Sequence, residues 1–133
     1  MDMGLNGKTA LVFGAGGGLG GAIARTLAGE GVRVAVADIN REAAQATTDA
    51  IAAADGKALR LEWDIADLSV IDARLKAVEE AFGTVDVLIN NTGGPPPTPV
   101  SGQDADAWQR FFQSMVLPVI AITDRVLPSM KAS

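Results

Sequence analysis

Residues 9–21 read TALVFGAGGGLGG and join an apolar run to a helical segment through a dense group of glycines. Thr9–Phe13 has the composition of a short buried strand, and a helix is predicted to begin near Leu19. Six of the fifteen glycines in the chain lie between Gly14 and Gly21. A strand that passes into a helix through glycine-rich backbone is typical of a βαβ unit that holds an anion at the helix N-terminus.

Short apolar runs alternate with longer segments of helical spacing along most of the chain. Strands are predicted at residues 9–13, 32–37, 58–63 and 85–90, and helices at residues 19–28, 41–54 and 68–82. Asp67 or Ser69 would cap the third helix, and Gly83 would end it. This alternation predicts an α/β fold with a Rossmann-like doubly wound parallel sheet in strand order 3-2-1-4. Residues 1–133 are predicted to form a single dinucleotide-binding domain.

The last part of the chain combines a stiff connector with a long apolar helix. Residues 93–99, GGPPPTP, exclude a helix and a central strand. A helix is predicted from about Asp104 to Met130, with Pro118 able to kink it. Its apolar residues form two stripes, which are Trp108, Phe111, Met115, Val119, Ile122 and Val126 in the first, and Phe112, Val116, Ile120 and Leu127 in the second. Because one stripe suffices to pack on a sheet, the second predicts either contact with another subunit or burial inside a larger domain.

Composition excludes several classes of protein. With 48% hydrophobic and 20% charged residues, the chain is predicted to fold rather than to be disordered. It has no cysteine and no histidine, so thiol catalysis, disulfides and the commonest metal ligands are excluded, and no metal site is predicted. A net charge of −5 argues against nucleic acid as a partner. No apolar run approaches the roughly 20 residues of a membrane span, and residues 1–5 lack a secretory signal, so a soluble cytoplasmic protein is predicted.

The glycines allow two registers for a dinucleotide-binding turn. Gly-x-Gly-x-x-Gly from Gly14 would need glycine at position 19, where Leu19 stands, and the same pattern from Gly16 begins two residues after the strand. We prefer Gly14-x-x-x-Gly18-x-Gly20, which begins where the strand ends. No lysine follows in the arrangement that a P-loop requires. A diphosphate is therefore predicted to contact the backbone of Gly14, Gly16, Gly17, Gly18, Leu19 and Gly20; the alternative is a flexible turn that binds nothing.

Asp38 is predicted to bind the adenosine ribose. It ends the second strand, 18 residues after Gly20, where a carboxylate accepts both ribose hydroxyls and repels a 2′-phosphate. Ile39 follows it, and the glycine turn contains no basic residue, so NAD is favoured over NADP. The alternative role for Asp38 is to cap the helix that begins near Arg41, and Asn40 fills that role better.

Two further strand ends are predicted to line the same site. Asp64 and Ile65 follow the third strand, where Asp64 could meet the adenine edge or could serve only as a cap or turn residue. Asn91 and Gly93 follow the fourth strand, next to the first strand in a doubly wound sheet. An asparagine there can bridge the ends of neighbouring strands, and Gly93 leaves room for a ligand.

Together these residues resemble the short-chain dehydrogenase/reductase family. The family's Thr-Gly-x-x-x-Gly-x-Gly turn matches residues 13–20, with Phe13 in place of threonine. Its NAD-selecting acid matches Asp38, its adenine-side aspartate matches Asp64, and its Asn-Asn-Ala-Gly motif matches residues 90–93. The helix at residues 108–130 is similar to the family's interface helix, and the whole is most similar to bacterial 3-oxoacyl-carrier-protein reductases. The resemblance implies hydride transfer between a nicotinamide cofactor and an alcohol or ketone.

The chain departs from the family pattern at its catalytic positions. Met115 stands where the resemblance implies a catalytic asparagine, and a thioether is a poor substitute because it does not donate a hydrogen bond. The family's Ser and Tyr-x-x-x-Lys segment is absent, and the 133 residues contain no tyrosine. We therefore expect a truncated oxidoreductase that binds NAD but is inactive alone, and that forms a homo-oligomer through residues 104–130 and the free edge of the fourth strand. The alternatives are a non-catalytic nucleotide-binding or partner-binding module and a remnant that binds nothing.

Overall fold

The computed structural model describes residues 1–132 and has the predicted alternation of strands and helices. The elements are, in chain order, β1 (Thr9–Phe13), α1 (Gly18–Gly29), β2 (Arg33–Asp38), α2 (Arg41–Ala53), β3 (Lys57–Glu62), a 3-10 turn (Leu68–Val70), α3 (Ile71–Phe82), β4 (Val87–Ile89), α4 (Ala105–Met115) and α5 (Leu117–Ala132). Within residues 1–132 the strands form one parallel sheet in the order β3-β2-β1-β4. The predicted fold class and strand order are confirmed.

The strand bounds follow from pairing with neighbours rather than from apolar composition alone. Arg33 pairs with Thr9 on one side and with Lys57 on the other, so β2 and β3 begin at these polar residues. The fourth strand was predicted over residues 85–90 but is only Val87–Ile89, because it pairs with β1 alone. Val85, outside the strand, is nevertheless buried in the core.

Both faces of the sheet are covered, as a doubly wound fold requires. The side chains of β1 alternate, with Leu11 and Phe13 in the core on one face and Ala10 and Val12 in the core on the other. On the first face the helices α3 and α5 contribute Leu75, Val78, Ile122 and Val126. On the second face α1 and α2 contribute Ala24, Ala44 and Ile51. The C-terminal strand ends therefore emerge between two helical layers.

The start of α2, the 3-10 turn before α3 and the end of α3 are set by residues that the sequence predicted. Asn40 caps α2, because its side-chain oxygen accepts a hydrogen bond of 3.0 Å from the Ala43 N–H. The Asp67 carboxylate caps the 3-10 turn that precedes α3. Gly83 ends α3 with a φ of +86°, in the left-handed region that favours glycine.

The predicted single helix from Asp104 to Met130 is wrong: two helices meet at Val116. Pro118 lacks the N–H that would donate to the Ser114 carbonyl, and its ring would crowd that carbonyl. The break precedes the proline, so Pro118 lies in the first turn of α5, where a missing N–H leaves no bond unmade. A second proline, Pro128, lies inside α5, within the bounds of the predicted helix.

The first apolar stripe does not pack on the sheet along its whole length. Ile122 and Val126 of α5 are buried in the core, but no residue of α4 is buried, and the Trp108 side chain is 58% exposed. The helix α4 packs against α5 and the proline-rich connector instead of the sheet. The second stripe is exposed throughout at Phe112, Val116, Ile120 and Leu127. In this chain the first stripe is therefore buried only along α5, and the second stripe is open along both helices.

Within residues 1–132, the segment Ala105–Ala132 is long and apolar enough to cross a membrane by length and composition alone, with a mean hydropathy of 1.2. The sequence analysis predicted no such segment. Helices that pack in a protein core or at a protein interface satisfy the same criterion, so this is weak evidence for a membrane span.

Candidate cofactor-binding site

The turn between β1 and α1 requires glycine at its two ends. Gly14 has a φ of +61°, and a Cβ there would lie 2.6 Å from Asn91 Nδ2. Gly20 packs directly on the Gly14 carbonyl oxygen, which a Cβ at Gly20 would overlap. The first turn of α1 is thereby held against the end of β1.

The N-terminus of α1 has backbone donors without partners inside the helix, of which Gly18 and Leu19 belong to exposed residues and Gly20 to a buried one. The first bond within the helix runs from the Gly21 N–H to the Gly17 carbonyl at 3.1 Å, so the N–H groups of Gly18, Leu19 and Gly20 precede the helical ladder. Gly17 provides no side-chain cap, and the Leu19 side chain, 70% exposed, turns away from the core. The partial positive charge of the helix end favours an anion at this position.

The Asp38 carboxylate is held by backbone N–H groups on both of its oxygens. Asp38 Oδ2 accepts from the Gly16 N–H, and Oδ1 accepts from the Asn40 N–H, each at 2.9 Å. The Asp38 carbonyl accepts in turn from the Trp63 N–H at 3.0 Å. Because each carboxylate oxygen has a second lone pair, Asp38 can still accept hydrogen bonds from a ligand. It does not cap α2, since Asn40 does.

A cleft of about 340 Å³ lies at the C-terminal ends of the strands. It brings together many of the predicted site residues, namely Gly14, Asp38, Ile39, Asp64, Ile65, Asn91 and Gly93. The other predicted residues, Gly16, Gly17, Gly18, Leu19 and Gly20, do not line it. They lie beside it, connected through the hydrogen bond from Gly16 to Asp38.

Two of the cleft residues also have structural roles. Asn91 Nδ2 donates to the Phe13 carbonyl at 3.2 Å and so joins the ends of β4 and β1, which confirms the predicted bridge. Asp64 Oδ1 accepts from the Ala66 N–H at 3.0 Å, which is the turn role left open by the sequence. Asp64 remains exposed and retains acceptor capacity toward the cleft.

Sequence reasoning missed the aromatic pair of Phe13 and Trp63, which also lines the cleft. Their rings meet edge to face, with centroids 4.7 Å apart and planes at 74°. Trp63 Nε1 is buried and has no hydrogen-bond partner within residues 1–132. Because side chains alternate along β1, Phe13 lies on the same face as Leu11. This alternation is the signal in the sequence from which Phe13 could have been recognised as a core residue, and not only as a replacement of the threonine in the family's glycine turn.

Met115 does not line this cleft. It lies at the end of α4 in a second groove of about 500 Å³, which is mainly apolar and includes Pro96, Val100 and Phe111. The described residues 1–132 contain no group of three or more acidic, histidine or cysteine side chains that could hold a metal ion.

Comparison with known proteins identifies the family. A family model described as short chain dehydrogenase matches residues 8–133. Galactitol 2-dehydrogenase of Agrobacterium fabrum is 42% identical over 110 residues, which are 83% of this chain and 42% of the relative. The 7alpha-hydroxysteroid dehydrogenase of Escherichia coli K12 is 35% identical over 96% of this chain and 49% of its own length. The chain belongs to the short-chain dehydrogenase family, whose members are oxidoreductases that bind nicotinamide cofactors.

Solved structures agree with this assignment. A hydroxysteroid dehydrogenase from Escherichia coli superimposes with a TM-score of 0.89 at 34% identity, over 96% of this chain and 54% of that one. An L-sorbose reductase from Gluconobacter frateurii, complexed with NADPH and L-sorbose, gives a TM-score of 0.91 at 26% identity, over 99% of this chain and 51% of that one. The chain spans about half the length of the relatives it matches. The resemblance to 3-oxoacyl-carrier-protein reductases in particular is not confirmed.

Proposed function

We propose that residues 1–133 form a single dinucleotide-binding domain that binds NAD, as the cofactor half of a short-chain oxidoreductase. The observation that carries this proposal is the Asp38 carboxylate, which is fixed by two backbone N–H groups at the mouth of a cleft and next to an open helix N-terminus. The N-terminus of α1 could hold the diphosphate and Asp38 could accept the ribose hydroxyls, which together are the two ends of an adenosine diphosphate. A bound nicotinamide would supply hydride transfer.

The diphosphate is proposed to contact the backbone between Gly14 and Gly20. This turn fits the group because it presents main chain without obstruction: a Cβ at Gly17 or Gly18 would meet nothing within 4 Å, so both positions face open space. A side chain at either position would extend into the region where the phosphates approach the N-terminus of α1. The exposed N–H groups of the first helical turn supply the hydrogen-bond donors.

NAD is proposed over NADP because of the charge and the surroundings of Asp38. No lysine or arginine lines the cleft among the described residues, and Ile39, with a 65% exposed side chain, follows the acid directly. A 2′-phosphate would therefore meet a carboxylate and an aliphatic side chain in place of a cation. The L-sorbose reductase was solved with NADPH, so the fold alone does not decide in favour of NAD.

The adenine base is proposed to lie over the apolar and amide groups at the remaining strand ends. Ile39 and Ile65 offer aliphatic surface to the faces of the ring, and Gly93 has open space around it. Asp64 Oδ1 accepts a hydrogen bond from the Ala66 N–H, and the remaining lone pairs of this carboxylate can accept another from the exocyclic amine of adenine.

Turnover by these 133 residues alone is not expected. The 133 residues include no tyrosine or histidine, and Met115 cannot donate a hydrogen bond. A positioned general acid or base contributes roughly 10²–10⁴ in rate, and the two acids of the cleft, Asp38 and Asp64, are assigned here to the ribose and the adenine rather than to proton transfer. We propose that oxidoreductase activity needs a general acid or base from outside these 133 residues.

The test is a nucleotide titration followed by tryptophan fluorescence. The chain has two tryptophans, of which Trp63 lines the cleft and Trp108 lies on α4. In Trp108→Phe, Trp63 is the sole tryptophan, and NADH is expected to quench it saturably, with NADPH about tenfold weaker or worse. Absence of saturable quenching and of calorimetric heat at millimolar NADH, in this variant and in the parent chain, would contradict the proposal.

We also propose that the chain self-associates through the exposed stripe of α4 and α5. Phe112 and Ile120 are each 50% exposed, and Val116 lies between them on the same face. A continuous apolar face of this kind is rare on monomeric proteins and is typical of an interface. The free edge of β4 in the described chain is a second place where another copy could pair.

A further inference from the structure

We propose that Asp38 and Gly16 act as one recognition unit, in which the carboxylate positions the glycine turn and the missing side chain of Gly16 keeps the carboxylate in place for the ribose. This inference rests on the proposed function, because it concerns how the same site distinguishes a ribose diol. It concerns a positioning role that is separate from direct contact with the ligand.

The first step is the bond between the two parts of the site. Gly16 lies in the turn after β1, and Asp38 lies at the end of β2, 22 residues later, yet the Gly16 N–H donates to Asp38 Oδ2 at 2.9 Å. The main chain is joined at the same level, since the Ala15 N–H donates to the Ala37 carbonyl at 3.1 Å. The glycine turn and the acid are thus connected by protein hydrogen bonds alone.

The second step is the space at Gly16. A Cβ there would lie 2.7 Å from Asp38 Oδ2 and 2.7 Å from the Ala43 Cβ, which is closer than real Cβ contacts. The backbone of Gly16 is outside the left-handed region, so an alanine is excluded by its neighbours and not by its own conformation. The carboxylate therefore occupies the volume that any side chain at this position would fill.

The third step concerns the donors for a diphosphate. The Gly16 N–H is already engaged by Asp38, so this glycine has a different task from the other residues of the turn. The donors that remain for a phosphate are those at the N-terminus of α1, from Gly18 to Gly20. Gly16 is accordingly assigned to the ribose side of the site.

The fourth step is the consequence for specificity. With one oxygen held by Gly16 and the other by Asn40, the Asp38 carboxylate cannot swing aside to admit a 2′-phosphate without losing both hydrogen bonds. Substitution of Gly16 should therefore disturb recognition of the ribose, although this residue carries no polar side chain. A merely structural role of the bond would instead lower affinity for every nucleotide by the same factor.

The experiment compares ADP with 2′-deoxy-ADP by calorimetry in the parent chain, Gly16→Ala and Gly17→Ala. The parent chain is expected to prefer ADP by about tenfold, the factor of one hydrogen bond to a charged acceptor. Gly16→Ala is expected to reduce this ratio to near one. Gly17→Ala is the matched control, because its Cβ meets nothing within 4 Å; it lowers both affinities equally and preserves the ratio.

A second measurement needs no ligand and no folded Gly16 variant. Amide hydrogen exchange at Gly16 in the ligand-free chain is expected to be about tenfold faster in Asp38→Ala than in the parent. Equal exchange rates, or a Gly16→Ala variant that keeps the preference for ADP, would overturn the inference and leave the proposed function intact. If the parent chain binds neither nucleotide, the proposed function fails and the recognition role fails with it, while the exchange rates still decide the positioning role.

Discussion

The surroundings of Asp38 restrict its carboxylate to one position. It is only partly exposed, both of its oxygens accept backbone N–H groups, and the helix cap that could have claimed it is provided by Asn40. A carboxylate held in this way loses little conformational entropy when a ligand binds. Its proposed contribution to NAD binding is therefore expected to be nearly the full value of its hydrogen bonds.

Asp38→Ala is expected to weaken NADH binding by about 1.5–3 kcal/mol, the range for hydrogen bonds to a charged group. NADPH affinity should fall less or even rise, because the substitution also removes the repulsion of the 2′-phosphate. Calorimetric titration of both nucleotides measures the two changes. Asp49→Ala is the control, since it removes the same charge from an exposed position on α2 outside the cleft. Unchanged NADH affinity in Asp38→Ala would refute the assignment of the ribose site.

Asp67 provides a separate test that depends on pH. The Ser69 hydroxyl donates to its carboxylate at 2.6 Å and the Ser69 N–H donates at 3.0 Å, and both bonds lower the pKa of Asp67. A lowered pKa in the folded state stabilises the fold above the usual carboxyl pKa, and this contribution is lost as the pH falls through the folded value. Ser69→Ala should raise the pKa of Asp67 toward its usual value, as measured by NMR titration of the carboxyl carbon. Thr26→Ala, which removes an exposed hydroxyl from α1, should leave it unchanged.

At the scale of elements, the sequence predicted those features that depend on the local pattern of residues, namely the strands, the helices and their ends. The alternation of apolar runs identified each strand and the order of the sheet, and Asn40 and Gly83 were recognised as helix boundaries. The break at Val116 was only partly foreseen, because a proline shows that a bond is missing but not whether the helix bends or ends. The first apolar stripe packs in the core only where it lies on α5, because periodicity alone cannot tell which layer a stripe contacts.

Many residues of the candidate site could be predicted from the sequence, but the contacts that join them to one another could not. Strand-end position alone was enough to select residues that line one cleft. The hydrogen bond from the Gly16 N–H to Asp38 joins the ends of two different strands. The Trp63 side chain is buried in contact with the Phe13 ring, which belongs to β1. Such features arise from tertiary approach, which neither spacing nor propensity encodes.

Asn91 links two elements, and its loss should be measurable as stability. Asn91→Ala removes the donor to the Phe13 carbonyl at the junction of β1 and β4, and a decrease of about 1–2 kcal/mol in the free energy of unfolding is expected. Asn90→Ala is the matched control one residue earlier, since Asn90 is exposed and makes a longer bond of 3.3 Å to Thr123. The control should cost less than about 0.5 kcal/mol by urea unfolding. Equal losses of unfolding free energy in the two variants would show that the hydrogen bond from Asn91 to Phe13 does not stabilise the junction of β1 and β4.

At the scale of the whole molecule, α4 differs from the other α-helices of residues 1–132. The helices α1, α2, α3 and α5 contribute buried residues to the two faces of the sheet, whereas α4 has no buried residue and its Trp108 and Phe112 side chains are exposed. The strand β4 has three residues and lies at one edge of the described sheet. An exposed apolar helix face and a free strand edge are both surfaces against which additional protein is expected to pack.

Phe112→Glu tests whether the α4–α5 stripe is the surface through which copies of the chain associate. A charge placed at the centre of an apolar interface must be desolvated on association, so sedimentation at micromolar concentration should change from a dimer or larger assembly to a monomer. Ala73→Glu adds the same charge at an exposed position of α3 and should leave the parent assembly intact. A parent chain that sediments as a monomer would contradict self-association altogether. An assembly that persists in Phe112→Glu would exclude this stripe and indicate pairing at the edge of β4, because the substitution does not alter that strand's backbone groups.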